Sequence, residues 1–143
     1  LKISLPQRLS YHALVITLIN KGTVNKTSWK KLNLEFRYNT FAGTDVISFL
    51  SAWLRYLTNN GKEIFITGDT AVCNHLSRMN LFSQTNISYT EEFTRHNAGG
   101  RFIPLQPIAN ADDVYNAVCK ISDLVVHHFD NSIGATNGAN PNL

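Results

Sequence analysis

Along this chain the apolar residues switch repeatedly between two spacings, and each switch marks an element. Between Lys31 and Tyr38 they alternate: Leu32, Leu34, Phe36 and Tyr38 take one side, and Asn33, Glu35 and Arg37 the other. That period of two predicts a strand, Leu32–Tyr38, with one dry and one polar face. From Thr44 to Asn59 the spacing becomes helical, with Val46, Phe49, Leu50, Trp53 and Leu57 on one stripe and Gly61 just past the end. Phe49 and Trp53 are expected to be buried, and Thr44 to stand at the helix start near the surface.

The remaining elements follow from the same reading. Lys2–Leu5 is a short strand stopped by Pro6, which lacks the ladder donor. Arg8–Lys21 is read as a helix by its length, with Gly22 as its stop, although the run from Ala13 to Ile19 would also suit a buried strand. Glu63–Thr67 is a short, more continuously apolar strand, and Asp69 or Thr70 caps the helix after it, which carries Val72, Leu76 and Met79. Phe102–Leu105 resumes extended structure. Asn110 caps the longest helix, whose Val114, Val118, Ile121, Val125 and Phe129 recur at spacings of four, three, four and four. Asp112 and Asp113 lie in its first turn, where the helix dipole favours negative charge. Four strands alternating with four helices predict an α/β layer fold with about four strands. The polar positions of the Leu32 strand place the helices mainly on one face. From Ser132 to Leu143 there is almost nothing to bury, so residues 1–131 read as the domain and 132–143 as a linker or disordered tail.

Composition narrows the function without naming it. The 143 residues are 43% hydrophobic and 16% charged, ordinary for one folded domain and unlike a disordered chain. A net charge of +3 is too weak a balance to imply nucleic acid. No apolar run reaches the length of a membrane span, and no signal peptide is recognised. Cys73 and Cys119 lack metal-binding spacing and read as free buried thiols, so a reducing, cytoplasmic setting is expected.

Catalytic patterns are missing as well. There is no P-loop, GxGxxG, HExxH or GxSxG sequence. His12, His75 and His96 stand alone in sequence, and the adjacent His127 and His128 point about 100° apart on a helix, unlike an i,i+4 metal pair. Asp112-Asp113 is explained by its place at a helix start. Glu35 and Asn39 have a magnesium-pair spacing but fall on a strand. Asn25-Lys-Thr27 and Asn86-Ile-Ser88 match the glycosylation pattern by chance in a cytosolic chain. Arg95, His96 and Arg101 flank Gly99-Gly100 as a small basic cluster, too few charges to hold RNA alone. No catalytic residue, metal or cofactor is expected, and the chain does not read as an enzyme.

One stretch is more specific. The strand Leu32–Tyr38, the turn Phe41-Ala-Gly-Thr44, the helix to Asn59, the strand Ile64–Thr67 and the phrase Leu76-Ser-Arg-Met-Asn-Leu-Phe82 resemble the STAS domain of anti-sigma-factor antagonists and sulfate-transporter tails. That domain carries a Phe-Ile-Asp-Ser-Ser-Gly-like turn and a "Leu-x-x-Met-Gly-Leu-Phe" phrase at these places. The flanks, from Leu5-Pro and Glu92–Leu105 to Leu124–Asn131, look like the STAS-like domains at the front of bacterial histidine-kinase-type ATP-binding proteins, whose ATPase lobe would begin near Asp130-Asn131.

The resemblance implies a STAS-like mixed sheet of about four strands and a non-catalytic role in bacterial partner-switching signalling. The implied partner is a histidine-kinase-type ATPase domain, in cis or in trans, or an anti-sigma, kinase-like protein. It places the phosphoacceptor at Thr44, with Ala42 in place of the aspartate and Asp45 in place of the glycine. Ala42, Gly43, Thr44 and Asp45 would form the partner surface together with Arg95, His96 and Arg101. Thr44 as a simple N-cap is the competing reading. A sheet that cradles a small ligand, a nucleotide or a lipid, is the alternative function.

Overall fold

The alternation from Lys31 onward forms the central strand of a parallel sheet. The computed structural model describes residues 1–21, 28–38, 40–96 and 102–137, in two units, Leu1–Thr94 and Arg95–Leu143. In the first unit β1 (Lys2–Ser4), β3 (Lys31–Phe36) and β5 (Glu63–Gly68) form a three-stranded sheet in the order β1-β3-β5. Separately, β2 (Arg8–Leu9) and β4 (Phe41–Ala42) form a two-stranded parallel pair. The helices of this unit are α1 (Tyr11–Asn20), α2 (Thr44–Asn59), α3 (Thr70–Arg78) and α4 (Leu81–Gln84).

The architecture is thus α/β, but the expected mixed sheet of about four strands is corrected on two points. Every ladder among the described residues is parallel. Phe102–Leu105, expected to be extended, lies in no ladder, and Pro104 within it has no N–H to give to one. Parallel neighbours require a crossover, which α1 supplies between β1 and β3 and α2 between β3 and β5.

Register explains which side chains are dry. Ile3 pairs with Leu34, and Leu32 and Leu34 pair with Ile64 and Ile66. Ile3, Leu32, Leu34 and Phe36 are fully buried on that face. The opposite face is polar. Asn33 accepts from Thr67 Oγ1 at 2.9 Å, and Glu35 accepts from Lys2 Nζ at 2.9 Å and from the Ser4 hydroxyl. Phe65 pairs with Asn33 and so falls on the polar face, 48% exposed, with the Lys31 ammonium 5.8 Å from its ring centre. β5 is an edge strand, so Ile64 and Ile66 are only half-buried, and its continuous apolar run does not mark a central strand.

The Ser4 hydroxyl bond, then the Lys2 bond and charge, hold the Glu35 carboxyl below the usual carboxylate value. A depressed pKa contributes stability that is present above the unfolded value and lost as pH falls through the folded one. Ser4→Ala is expected to return Glu35 toward the ordinary value, and an NMR titration of the Glu35 side chain checks it.

Helix boundaries also shift from expectation. The segment read as a helix from Arg8 spends Arg8 and Leu9 on β2, and α1 starts at Tyr11 with Ser10 Oγ accepting from Ala13 N at 3.1 Å. β3 ends at Phe36, short of Tyr38. The buried face of α2 is Val46, Ile47, Leu50, Leu54 and Leu57, a rotation away from the expected stripe. Phe49 and Trp53 are half-buried at its margin, where the Phe49 ring meets Tyr11 of α1 edge-on at 5.3 Å. Gly61 follows α2 at φ +71°, the left-handed turn expected of it. Asp69 caps α3, its carboxylate accepting from Val72 N at 3.0 Å. Gly22, Asn25, Asn39, Gly99, Gly100 and Arg101 lie outside the described residues.

In the second unit α5 spans Ala111–Asn137, beyond the Ser132 boundary suggested by composition. Asn110 Oδ1 accepts from Asp113 N at 3.0 Å while Asp113 Oδ2 accepts from Asn110 N at 3.3 Å and Ala109 N at 2.9 Å, a reciprocal cap. The stripe from Val114 to Phe129 is exposed along its length. Among the described residues no helix is long and apolar enough to cross a membrane.

Candidate functional site

The turn between β4 and α2 is built by short-range bonds. Thr40, buried, donates through its hydroxyl to Arg37 O at 2.7 Å and through its N–H to the same oxygen at 3.1 Å. Phe41 and Ala42 then pair with Arg8 and Leu9, and Ala42 is buried. Gly43 is the N-cap of α2, so Thr44 is its first helical residue and not the cap. The N-cap reading of Thr44 is therefore corrected: a glycine in extended conformation ends the loop one residue earlier.

That correction changes the chemistry of the turn. No side chain caps α2. Its first amides keep the partial positive charge of an open helix start, and Thr44 and Asp45 stand exposed beside them. Ser48 Oγ donates to the Thr44 backbone oxygen at 2.8 Å, one turn into the helix. A Cβ on Gly43 would lie 2.7 Å from Asp45 Oδ1, so the Asp45 carboxylate is folded back over Gly43. Gly43, Thr44 and Asp45 thus reach the surface together, whereas Ala42, expected with them on the partner surface, is buried beneath. Arg95 and His96 are exposed and belong to the second unit, and Arg101 lies outside the described residues.

A second feature escaped the sequence reading. Along the outer edge of β5 runs an open trough of about 570 Å³, walled by Thr58, Lys62, Phe65 and Ile66 on one side and by Asn86–Ser88 on the other. A smaller hollow of about 200 Å³ continues past Gly68 and Thr70 to Tyr89 and Glu92. Cys73 lines it, buried, and burial followed by the nearby Asp69 charge pushes its thiol pKa up, away from a reactive thiolate. Cys119, expected to be buried, is only half-buried. Burial, reinforced by Arg78, lowers the His75 pKa and favours the neutral ring. The only signal of the trough in the sequence was a phenylalanine at the polar phase of a strand.

No protein-family model matches the chain, and neither a curated protein nor a solved structure matches it. The site therefore rests on its own geometry. Among the described residues no group of three His, Cys, Asp or Glu is placed to hold a metal ion. What the α2 turn offers is an exposed hydroxyl at the electropositive end of a long helix, on a turn pinned from behind by Thr40 and by β4.

Proposed function

We propose that the chain is a non-catalytic regulatory interaction domain of STAS-like type. It docks a histidine-kinase-type ATPase domain, in the same polypeptide or a separate one, through the first turn of α2, as part of cytoplasmic bacterial signalling. The observation that carries this reading is the exposed Thr44 hydroxyl at the first position of an uncapped helix. A phosphate there would meet free helix amides and would bring roughly −1.5 to −2 of charge to the docking surface. Asn80 adds support: it adopts φ +62° in Leu76–Phe82, where the STAS phrase has glycine, and asparagine is the side chain that best tolerates that conformation.

Titration calorimetry of the full chain against the histidine-kinase-type ATPase domain encoded in or beside its reading frame tests this. Wild type and Thr44→Val are expected to bind alike, and Thr44→Glu at least about tenfold more weakly, a loss of about 1.4 kcal/mol. Phosphate transfer from ATP is expected on wild type and not on Thr44→Val. Equal binding by all three chains would remove Thr44 from the interface.

The trough beside β5 favours a second reading, a small-ligand sensor, because its volume falls in the range of ligand pockets. Under that reading a nucleotide or lipid panel raises the melting temperature of the chain, and Phe65→Ala removes the shift.

A further inference from the structure

The two edges of the three-stranded sheet are unequal. β1 is three residues long, whereas β5 runs for six and carries neither lysine nor proline from Glu63 to Gly68. A long apolar edge without such blocks is a template for another strand. The ladder shows which backbone groups of β5 are left over. Glu63 N donates to Lys30 O and Asp69 N to Phe36 O, each at 2.9 Å. Successive amides along a strand point to opposite sides, so the odd-numbered residues face β3. Ile64, Ile66 and Gly68 therefore turn their N–H and C=O groups away from it, and no other backbone among the described residues pairs with them. Ile64 and Ile66 line the trough, and Gly68 lines the hollow that continues it. Both walls of the trough belong to the Leu1–Thr94 unit.

We propose that the trough receives an extended peptide segment of a partner protein, which adds to β5 as a fourth strand. Only an extended chain offers a donor and an acceptor at every second residue, in step with Ile64, Ile66 and Gly68. The segment alternates branched apolar and polar side chains. Its apolar residues continue the face of the half-buried Ile64 and Ile66, and its polar residues that of Phe65 and Thr67. Asn86 and Ser88 on the far wall are exposed, and their side chains hold no hydrogen bond among the described residues, so the segment finds polar partners there as well.

Charge argues against an anionic occupant. Lys62 is the one cation among the residues lining the trough, and it is engaged: its ammonium donates to Trp29 O at 2.7 Å and lies 4.8 Å from the Trp29 ring centre. Glu63, the other charge there, pairs with Lys31 at 3.0 Å. A nucleotide phosphate or a lipid headgroup would meet a carboxylate and a lysine already committed. The α2 turn plays no part, since none of residues 42–47 lines the trough.

Amide exchange of the full chain, read residue by residue by NMR, tests this with a capped peptide of sequence Lys-Val-Thr-Val-Thr-Val-Lys. In the free chain the Ile64 and Ile66 amides are expected to exchange fast, and those of Phe65 and Thr67 slowly. The peptide at about 1 mM is expected to slow Ile64, Ile66 and Gly68 about tenfold. Two further peptides carry N-methyl groups, one on its valines and one on its threonines. Only one edge of the peptide faces β5, so one of the two is expected to lose the effect and the other to keep it. Loss on valine methylation reads an antiparallel strand, and loss on threonine methylation a parallel one. No slowing by the unmethylated peptide overturns the proposal, as does equal behaviour of the two methylated ones. Slow Ile64 and Ile66 exchange that grows with chain concentration in the absence of peptide overturns it in favour of a second copy. The same slowing by ATP or by phosphatidylglycerol vesicles overturns it in favour of a small ligand.

Discussion

Gly68→Ala is expected to cost about 3 kcal/mol or more and to lower the melting temperature by about 10 °C, read by thermal and urea unfolding. Gly68 closes β5 at φ +126°, a conformation that side chains rarely adopt. A Cβ there would sit 1.9 Å from Phe36 O, backbone that has no room to yield. The same oxygen accepts from Asp69 N at 2.9 Å, so forcing it away also disturbs the residue that caps α3. Gly61→Ala is the control. Its φ is +71°, but nothing lies within 4 Å of the added carbon, and a cost of about 1 kcal/mol is expected. Equal costs at the two glycines would mean that β3 and β5 do not close as described.

The second large effect reads the rotation of α2. Leu54 is fully buried, and Leu54→Ala is expected to cost about 2–5 kcal/mol through lost transfer free energy and the cavity left behind. Phe49 is half-buried and edge-on to Tyr11, so Phe49→Ala loses one ring contact and part of a hydrophobic surface, about 1–2 kcal/mol. Urea denaturation of both variants decides between the two faces. A larger loss at Phe49 would restore the stripe that the spacing alone suggests.

Why the spacing chose the wrong face is instructive. Val46, Leu50 and Leu57 belong to both candidate stripes, and the aromatic residues on one side outweigh Ile47 and Leu54 on the other in apparent hydrophobicity. The large rings instead take the margin, where the Phe49 edge can meet a second ring. The boundaries of α2 were legible because they rest on local chemistry, with Gly61 beyond one end and Gly43 before the other. The strand Lys31–Phe36 was legible for a similar reason, since its alternation states both its period and its dry face. The sheet was less so. Pairing is a long-range property, and nothing in Phe102–Leu105 by itself says whether a ladder forms. Arg8-Leu9 became a strand because Phe41-Ala42 came alongside, and a helix-like window cannot anticipate that.

The α2 turn was half legible. Of the residues Ala42 to Asp45, Thr44 and Asp45 are exposed and Ala42 is buried, and Gly43, not Thr44, closes the loop. That single-residue difference decides whether the threonine caps the helix or stands exposed at its first position. Thr40, which ties the turn from behind, carries no sequence pattern beyond a threonine in a polar stretch. The trough beside β5 depends on how far Asn86–Ser88 stands from the edge strand, and no local spacing encodes that distance.

Backbone amide hydrogen exchange of the full chain, alone and with the histidine-kinase-type ATPase domain, tests the docking claim most directly. Slowed exchange centred on residues 42–47 is the predicted outcome. Slowing confined to other segments, with residues 42–47 unchanged while the two proteins are bound, would contradict it.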